Sequence, residues 1–345
     1  MQPITFTNNA AQELSGILAT QSYDRLFILC DTNTERHCLP QIPSTQCSTI
    51  TIPAGDTHKN LDSLAHVWQT LVEGKATRHT LLINLGGGMV TDLGGFAAGT
   101  FKRGIPFINI PTTLLAMVDA SVGGKTGINF FGLKNEIGIF RNAEHVIIDT
   151  NFLQTLDSNN ILSGYAEMLK HTLLSTTEEW AELLNYDILE PDLNQLSRIL
   201  CKNVKVKERI VLEDPTEHGL RKALNLGHTT GHALESFAMQ QGKPVLHGYA
   251  VAWGIICELY LSAVKLSFPT DKLRQTVSYI RHHYGTPSLE CKHYDRLLAL
   301  MAHDKKNIGD TINFSLLADI GDLRLNQTAT RNEICEALDF LREGL

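Results

Sequence analysis

The 345 residues, 43% hydrophobic and 19% charged, are long enough for two domains and a substantial core, and their composition excludes a disordered chain. A formal charge of −7 excludes a general nucleic-acid binder, so any anion site must be a local basic pocket. The seven cysteines (Cys30, Cys38, Cys47, Cys201, Cys257, Cys291, Cys335) are scattered, odd in number and free of C-x-x-C, which excludes a disulfide framework or a cysteine-based zinc site.

The opening M-Q-P-I-T-F-T-N-N has no basic stretch followed by an apolar one, so no secretory signal is visible and a cytoplasmic location is expected. Residues 25–31, R-L-F-I-L-C-D, form a short apolar run ending in polar D-T-N, as a buried parallel strand does. A β-rich run at 48–53 follows, then helical spacing over 61–73 (Leu61, Leu64, Ala65, Trp68, Leu71, Val72). The strand at 80–85 runs into Gly86, Gly87 and Gly88 and a helix of small residues, and further strands are expected at 106–110 and 145–149. This alternation predicts a parallel sheet with helices on both faces.

Glycines between a strand and a helix let the backbone approach a pyrophosphate lying on the helix N-terminus. The run is not G-x-G-x-x-G, since Thr91 stands where the third glycine would fall, and a purely structural tight turn is the alternative. Asp31 and Asp56, near strand ends, are candidate acceptors for ribose hydroxyls. Residues 111–141 read as a long glycine-rich functional loop in which Lys125 and Lys134, beside Asn129 and Asn135, suggest a phosphate cradle. V-G-G-K-T nevertheless lacks the leading G-x-x-x-x-G of a P-loop.

From about residue 157 helical periodicity takes over. Glu167, Lys170 and His171 share one face of the segment 158–174. They are either a surface charge arrangement or, given the apolar neighbours, a buried carboxylate that needs a partner or a metal. The helix at 193–212 has an apolar side, and Lys202, Lys205, Lys207 and Arg209 lie elsewhere on it. Glu217, Arg221 and Asn225 precede three histidines. His228 and His232, four apart, share a helical face and form a candidate metal pair with His247 as a third ligand; ordinary buried histidines are the alternative. Further helices are expected at 246–266, 270–283, 293–302 and 330–342, with a β-like run at 311–317. The apolar run around 250–266 is interrupted by Glu258 and Lys265 and reads as too short to span a bilayer. The expected fold is an α/β, Rossmann-like nucleotide-binding domain over 1–156 and a mainly α-helical metal- and substrate-binding domain over 157–345.

Together the motifs resemble one family, 3-dehydroquinate synthase, within the sugar-phosphate cyclases. They are D-T-N at 31–33, P-A-G-D-T-H-K at 53–59, G-G-G-M-V-T-D-L-G-G-F at 86–96, F-K-R-G-I at 101–105, P-T-T-L-L-A-M-V-D-A-S-V-G-G-K-T at 111–126 and G-L-K-N at 132–135. The second half adds G-Y-A-E-M-L-K-H at 164–171, H-G-L-R-K-A-L-N-L-G-H-T-T-G-H-A-L-E at 218–235, L-H-G-Y-A at 246–250 and H-D-K-K-N at 303–307. The family commonly has glutamate where Asp56 stands.

The resemblance implies an NAD- and metal-dependent lyase that converts 3-deoxy-D-arabino-heptulosonate 7-phosphate to 3-dehydroquinate and phosphate. The sequence of steps is transient oxidation, phosphate elimination, re-reduction and aldol closure. By the same resemblance Glu167, His228 and His247 hold the metal, zinc or cobalt, and His232 moves to the substrate phosphate. Lys125, Lys170, Lys207 and Arg221 hold the carboxylate and hydroxyls. Arg103, Asn135, Asn225, His232, Lys305 and Lys306 surround the phosphate. NAD is expected at Asp31, Asn33, Asp56, Lys59, Gly87, Gly88, Asp92, Thr112, Thr113, Asp119, Lys125, Lys134, Phe152 and Thr155. In relatives the Arg103 equivalent reaches in from a neighbouring subunit, so a homodimer is expected, with neither a nucleic-acid nor a membrane partner. A different cyclase, a metal-dependent polyol dehydrogenase, or a non-catalytic binding protein are the competing readings. Lys207 and Arg221, cations that a neutral sugar does not need, favour an acidic substrate.

Overall fold

The computed structural model describes residues 2–43, 47–131, 133–302 and 312–344. The chain divides into two compact units, Met1–Asp157 with Pro191–Val204, and Ser158–Glu190 with Lys205–Leu345.

The first unit contains β1 (Ile4–Thr7), α1 (Ala10–Thr20), β2 (Leu26–Asp31), α2 (Thr32–His37), β3 (Ser48–Ile52) and α3 (Leu61–Glu73). It continues with β4 (Leu81–Gly86), α4 (Gly88–Thr100), β5 (Phe107–Pro111), β6 (Lys125–Phe130), β7 (Leu133–Phe140) and β8 (His145–Asp149). Six strands form one parallel sheet in the order β1-β8-β5-β4-β2-β3. Every residue of β2, β4 and β5 is buried, which is why these strands read as unbroken apolar runs and not as alternation. The chain passes from β2 out to β3 at one edge, then returns to β4 on the other side of β2. The carboxyl ends of β2 and β4 therefore flank the point where strand order reverses, where parallel α/β sheets bind ligands.

The expected long loop over 111–141 is instead largely regular structure. A π-helical turn, Ala116–Ala120, is followed by the antiparallel hairpin β6–β7. Gly127 pairs with Gly138 because a Cβ on either would lie 2.5 Å from Ile137 O or 2.1 Å from Thr126 O. Those glycines serve close strand approach, a purpose that composition cannot distinguish from a phosphate cradle. The hairpin also exposes Phe131 at 90%, with Phe130, Leu133 and Phe140 outward beside it.

The second unit contains α5 (Ser158–Leu173), α6 (Thr177–Leu184), the part of α7 (Leu193–Glu213) beyond Val204, α8 (His228–Gln240), α9 (His247–Leu266) and α10 (Thr270–Tyr284). The antiparallel pair β9 (Asn313–Asp319) and β10 (Asp322–Thr328) lies between α11 (Tyr294–Ala302) and α12 (Arg331–Glu343). Helix α9 is the hub, packed by α5, α8, α10, α12 and β9. Its 20 residues are long and apolar enough to cross a membrane, contrary to the sequence expectation, yet 67% of its apolar window is buried in the fold. Glycine lets its neighbours touch its backbone. A Cβ on Gly248 would lie 1.9 Å from Ser163 O of α5, and one on Gly254 the same distance from Gly227 O before α8.

Gly254→Ala is therefore expected to destabilise the protein by about 1–3 kcal/mol or more, because backbone must move aside. Gly16→Ala, with nothing near its Cβ on the exposed side of α1, should gain about 1 kcal/mol. Urea unfolding of the two variants checks the opposite signs.

Candidate functional site

At the switch point, β4 ends on Gly86 and α4 begins at Gly88, with Gly87 as its N-cap and no side-chain hydrogen bond there. The first N–H groups of α4 are thus uncapped by side chains, as an anion site at a helix N-terminus requires. Thr112 and Thr113 follow the adjacent strand end, Thr112 N donating to Gly86 O at 3.0 Å. A Cβ on Gly87 would meet the Thr113 methyl at 3.0 Å, and one on Gly88 the Ala120 Cβ at 3.2 Å. Close to Gly88 stands the turn that carries Asp119. Gly87, Gly88, Thr112 and Thr113 thus form one cradle that side chains on the glycines would fill.

Asp31 has a local task that its sequence position does not announce. Its Oδ1 accepts from Asn33 N and Thr34 N, both at 2.9 Å, closing a capping box on α2. Lys59, 4% exposed, points Nζ at Asp92 Oδ2 (2.5 Å) and at Asn135 Oδ1. Asn135, expected at the substrate phosphate, is therefore gathered with Lys59 and Asp92, which were expected at the nucleotide. Asp56 pairs with Lys134 at 3.3 Å and accepts from Asn129 Nδ2 at the same distance. Lys125 is exposed at the start of β6. Phe152 is 2% exposed, packed in the core, while the Thr155 hydroxyl bonds back to Phe152 O at 3.3 Å. Arg103 is exposed and left-handed (φ 69), next to left-handed Lys102 (φ 50), so backbone strain is concentrated in this short segment.

In the second unit the centre is Glu167 on α5, 0% exposed. Lys170, one turn on and 1% exposed, forms an ion pair with its Oε2. Nε2 of His228 and Nε2 of His247 each lie 3.3 Å from its Oε1. No hydrogen bond of good geometry reaches either Glu167 oxygen among the described residues. Burial pushes the Glu167 carboxyl up, but the Lys170 ammonium and then His228 hold it well below the usual range. Burial and then the Lys170 charge push His228 down to about 3, although Glu167 pulls the other way. His228 is therefore neutral. Its Nδ1 lies 3.1 Å from Leu226 O, which can only accept, so Nδ1 carries the proton and Nε2 turns a lone pair toward the carboxylate.

His247 sits between two carboxylates, Nε2 toward Glu167 and Nδ1 3.3 Å from Glu235 Oε2. Burial works against its charge, but the facing carboxylates of Glu167 and then Glu235 outweigh it and hold it up to about 10. A divalent cation would replace the Nε2 proton, satisfying the carboxylate and both imidazoles together. Oxygen and nitrogen lone pairs converging on one point are the donor set of a metal site. His232, exposed, also joins the cluster, its ring 5.1 Å from His228 and 5.8 Å from His247; ligand nitrogens of the three histidines lie within 4.8 Å of one another. The histidine pair suggested by spacing is thus drawn together with His247, while Glu167 touches His228 and His247.

Lys207 and Arg221 are 5% and 1% exposed, so unlike the solvated lysines of a surface helix they are held inside the fold. Asp214, which the sequence reading passed over, organises Arg221. Its Oδ2 accepts from Arg221 N (3.0 Å) and Gly219 N (2.7 Å), its Oδ1 from His218 N (3.1 Å), and Pro215 O accepts from Arg221 Nη1 at 2.6 Å. Its signal was the D-P-T turn. Glu217, also unassigned, accepts from Asn225 Nδ2 at 3.1 Å. Lys305 and Lys306 lie outside the described residues.

Two family models together match most of the chain: 3-dehydroquinate synthase N-terminal over residues 49–163, and 3-dehydroquinate synthase C-terminal over residues 164–307. A 3-dehydroquinate synthase of Parabacteroides distasonis is 53% identical over 99% of this chain and 98% of its own length. Another, of Staphylococcus haemolyticus, is 36% identical over 94% and 91%. Among solved structures, 2-epi-5-epi-valiolone synthase from Streptomyces hygroscopicus, with NAD+ and Zn2+ bound, superposes at a TM-score of 0.87 with 25% identity, covering 99% of this chain and 97% of that one. A 2-deoxy-scyllo-inosose synthase complexed with carbaglucose-6-phosphate, NAD+ and Co2+ gives 0.83 at 22%, covering 99% and 96%.

Asp214 makes the Arg221 turn pH-dependent. Burial raises its pKa, but backbone donation from Gly219, Arg221 and His218 outweighs this and lowers it from 3.8 to about 2. A depressed carboxylate stabilises the fold above its unfolded pKa, and that contribution fades as pH falls from about 3.8 toward 2. Amide exchange across 214–221 is expected to accelerate over this window. In Asp214→Asn it should be fast at every pH, as mass spectrometry of the segment can check.

Proposed function

The chain belongs to the 3-dehydroquinate synthase family, and from that membership we propose that it converts 3-deoxy-D-arabino-heptulosonate 7-phosphate to 3-dehydroquinate and phosphate with NAD and a divalent metal, zinc or cobalt. The observation that carries the metal assignment is the Glu167 carboxylate faced by Nε2 of both His228 and His247. When bound, the metal supplies a Lewis acid for the reacting hydroxyl, and NAD supplies a hydride acceptor that returns what it takes.

This chain's residues do the rest. Glu167, His228 and His247 hold the metal, Glu235 fixing the His247 ring through Nδ1. Lys170, paired with Glu167, and the buried Lys207 and Arg221 bind the substrate carboxylate and hydroxyls; cations preorganised away from water need little rearrangement as charge develops. The hold of Asp214 and Pro215 O on Arg221 aims it in advance. His232 and Asn225 face the phosphate, where His232 is poised to move a proton. Arg103, Asn135, Lys305 and Lys306 complete the phosphate environment in this proposal, with Arg103 arriving from the second subunit of a homodimer. The Gly87–Gly88–Thr112–Thr113 cradle takes the NAD pyrophosphate. Asp31, Asn33, Asp56, Lys59, Asp92, Asp119, Lys125, Lys134, Phe152 and Thr155 line the remainder.

Phosphate release from the heptulosonate phosphate, measured with and without NAD and a chelator, is expected to need both NAD and metal. Release from sedoheptulose 7-phosphate instead would select a different cyclase. Glu167→Ala and His247→Ala are expected to lose bound metal. His232→Ala should keep metal and lose about 10²–10⁴-fold in kcat. Metal lost equally from His232→Ala would reverse the ligand assignment, as metal analysis of the purified variants reads directly.

A further inference from the structure

The apolar hub helix α9 carries one carboxylate, Glu258, with no exposure at all. Its oxygens are directed at the start of the neighbouring helix. Oε2 accepts from Gly227 N at 2.7 Å and Oε1 from Thr230 N at 3.3 Å. Gly227 is the N-cap of α8, has no side chain to cap with, and is left-handed (φ 78). The first N–H groups of any helix lack partners within it. Here the neighbouring helix supplies the cap, and the positive end of the α8 dipole compensates the buried charge.

His228 is the first residue of α8 and lies between the two clamped residues. Its Nδ1 partner, Leu226 O, belongs to the residue just before Gly227. Both the backbone and the ring orientation of His228 therefore hang on the turn that Glu258 grips. We propose that Glu258 is a positioning residue for the metal site: it fixes the Gly227–Thr230 turn so that His228 Nε2 faces Glu167. The proposal rests on the metal-site reading above. Loosening the turn lets the imidazole wander, whereas metal ligation requires donor positions good to about 0.2 Å.

The test is zinc affinity of the full chain, measured by competition with a fluorescent chelator, with the unfolding transition recorded in parallel. Glu258→Gln keeps the side-chain shape but sets an amide N–H₂ against one of the backbone N–H groups. It is expected to unfold cooperatively and to bind zinc about 10–100-fold more weakly. A folded Glu258→Gln protein with wild-type zinc affinity, alongside a His228→Ala protein that has lost zinc, overturns the proposal alone. Zinc binding indifferent to His228→Ala overturns the metal-site reading and the proposal with it. Should Glu258→Gln not fold, the wild-type protein decides: zinc is expected to slow exchange of the Gly227 and Thr230 amides at least tenfold, and unchanged exchange overturns the proposal.

Discussion

Glu167 is a carboxylate with no exposure, and its compensation governs the second unit. Moving such an ion out of water costs about several kcal/mol even after relaxation, so a fold retains it only when opposite charge or a cation meets it. Lys170 does so from the same helix and protonated His247 from the start of α9, while neutral His228, at the start of α8, turns a lone pair toward the same point. This single requirement brings three helices to one point. It also separates the histidines in character, His228 held neutral and His247 held charged, because only the latter has a second carboxylate at its other nitrogen.

The helices can meet so closely because their contact points lack side chains. Gly248 lies against Ser163 O, and Gly254 against Gly227 O. Glycine in a helix interior costs about 0.5–1 kcal/mol relative to alanine, and here that loss is offset by backbone-to-backbone packing no larger residue permits. Close approach in turn puts Glu258 within reach of the α8 N-terminus. Two buried carboxylates thus divide the work. Glu167 faces the two imidazoles, and Glu258 holds the turn from which His228 emerges. In the first unit the same economy appears at the end of β4, where Gly87 and Gly88 leave the space that Thr113 and Ala120 border.

Much of the first unit was legible in order along the chain. The apolar runs of β2, β4 and β8 and the spacing of α3 fall close to where the pattern predicted them, because full burial and helical periodicity are local signals. The hairpin β6–β7 was not legible: its glycines allow strand contact, but in sequence they look like a loop. Asp31 was seen only as a ligand contact, since a side chain capping its own helix and one turned to a ribose have the same address in sequence. Lone Glu258, taken as an interruption of an apolar run, was in fact the sign of a buried partner elsewhere.

By itself, the sequence determined the two-part α/β and helical character and, through the joint order of its motifs, the family. These properties depend on periodicity and on residue order, which are written along one dimension. Tertiary structure decided the rest: that Glu167 meets two imidazoles from helices sixty to eighty residues away, that Asp214 holds the Arg221 turn, and that Glu258 caps the helix beginning with His228. Those roles are set by distances of about 3 Å between groups remote in sequence, and burial turns each such distance into an obligation to pair.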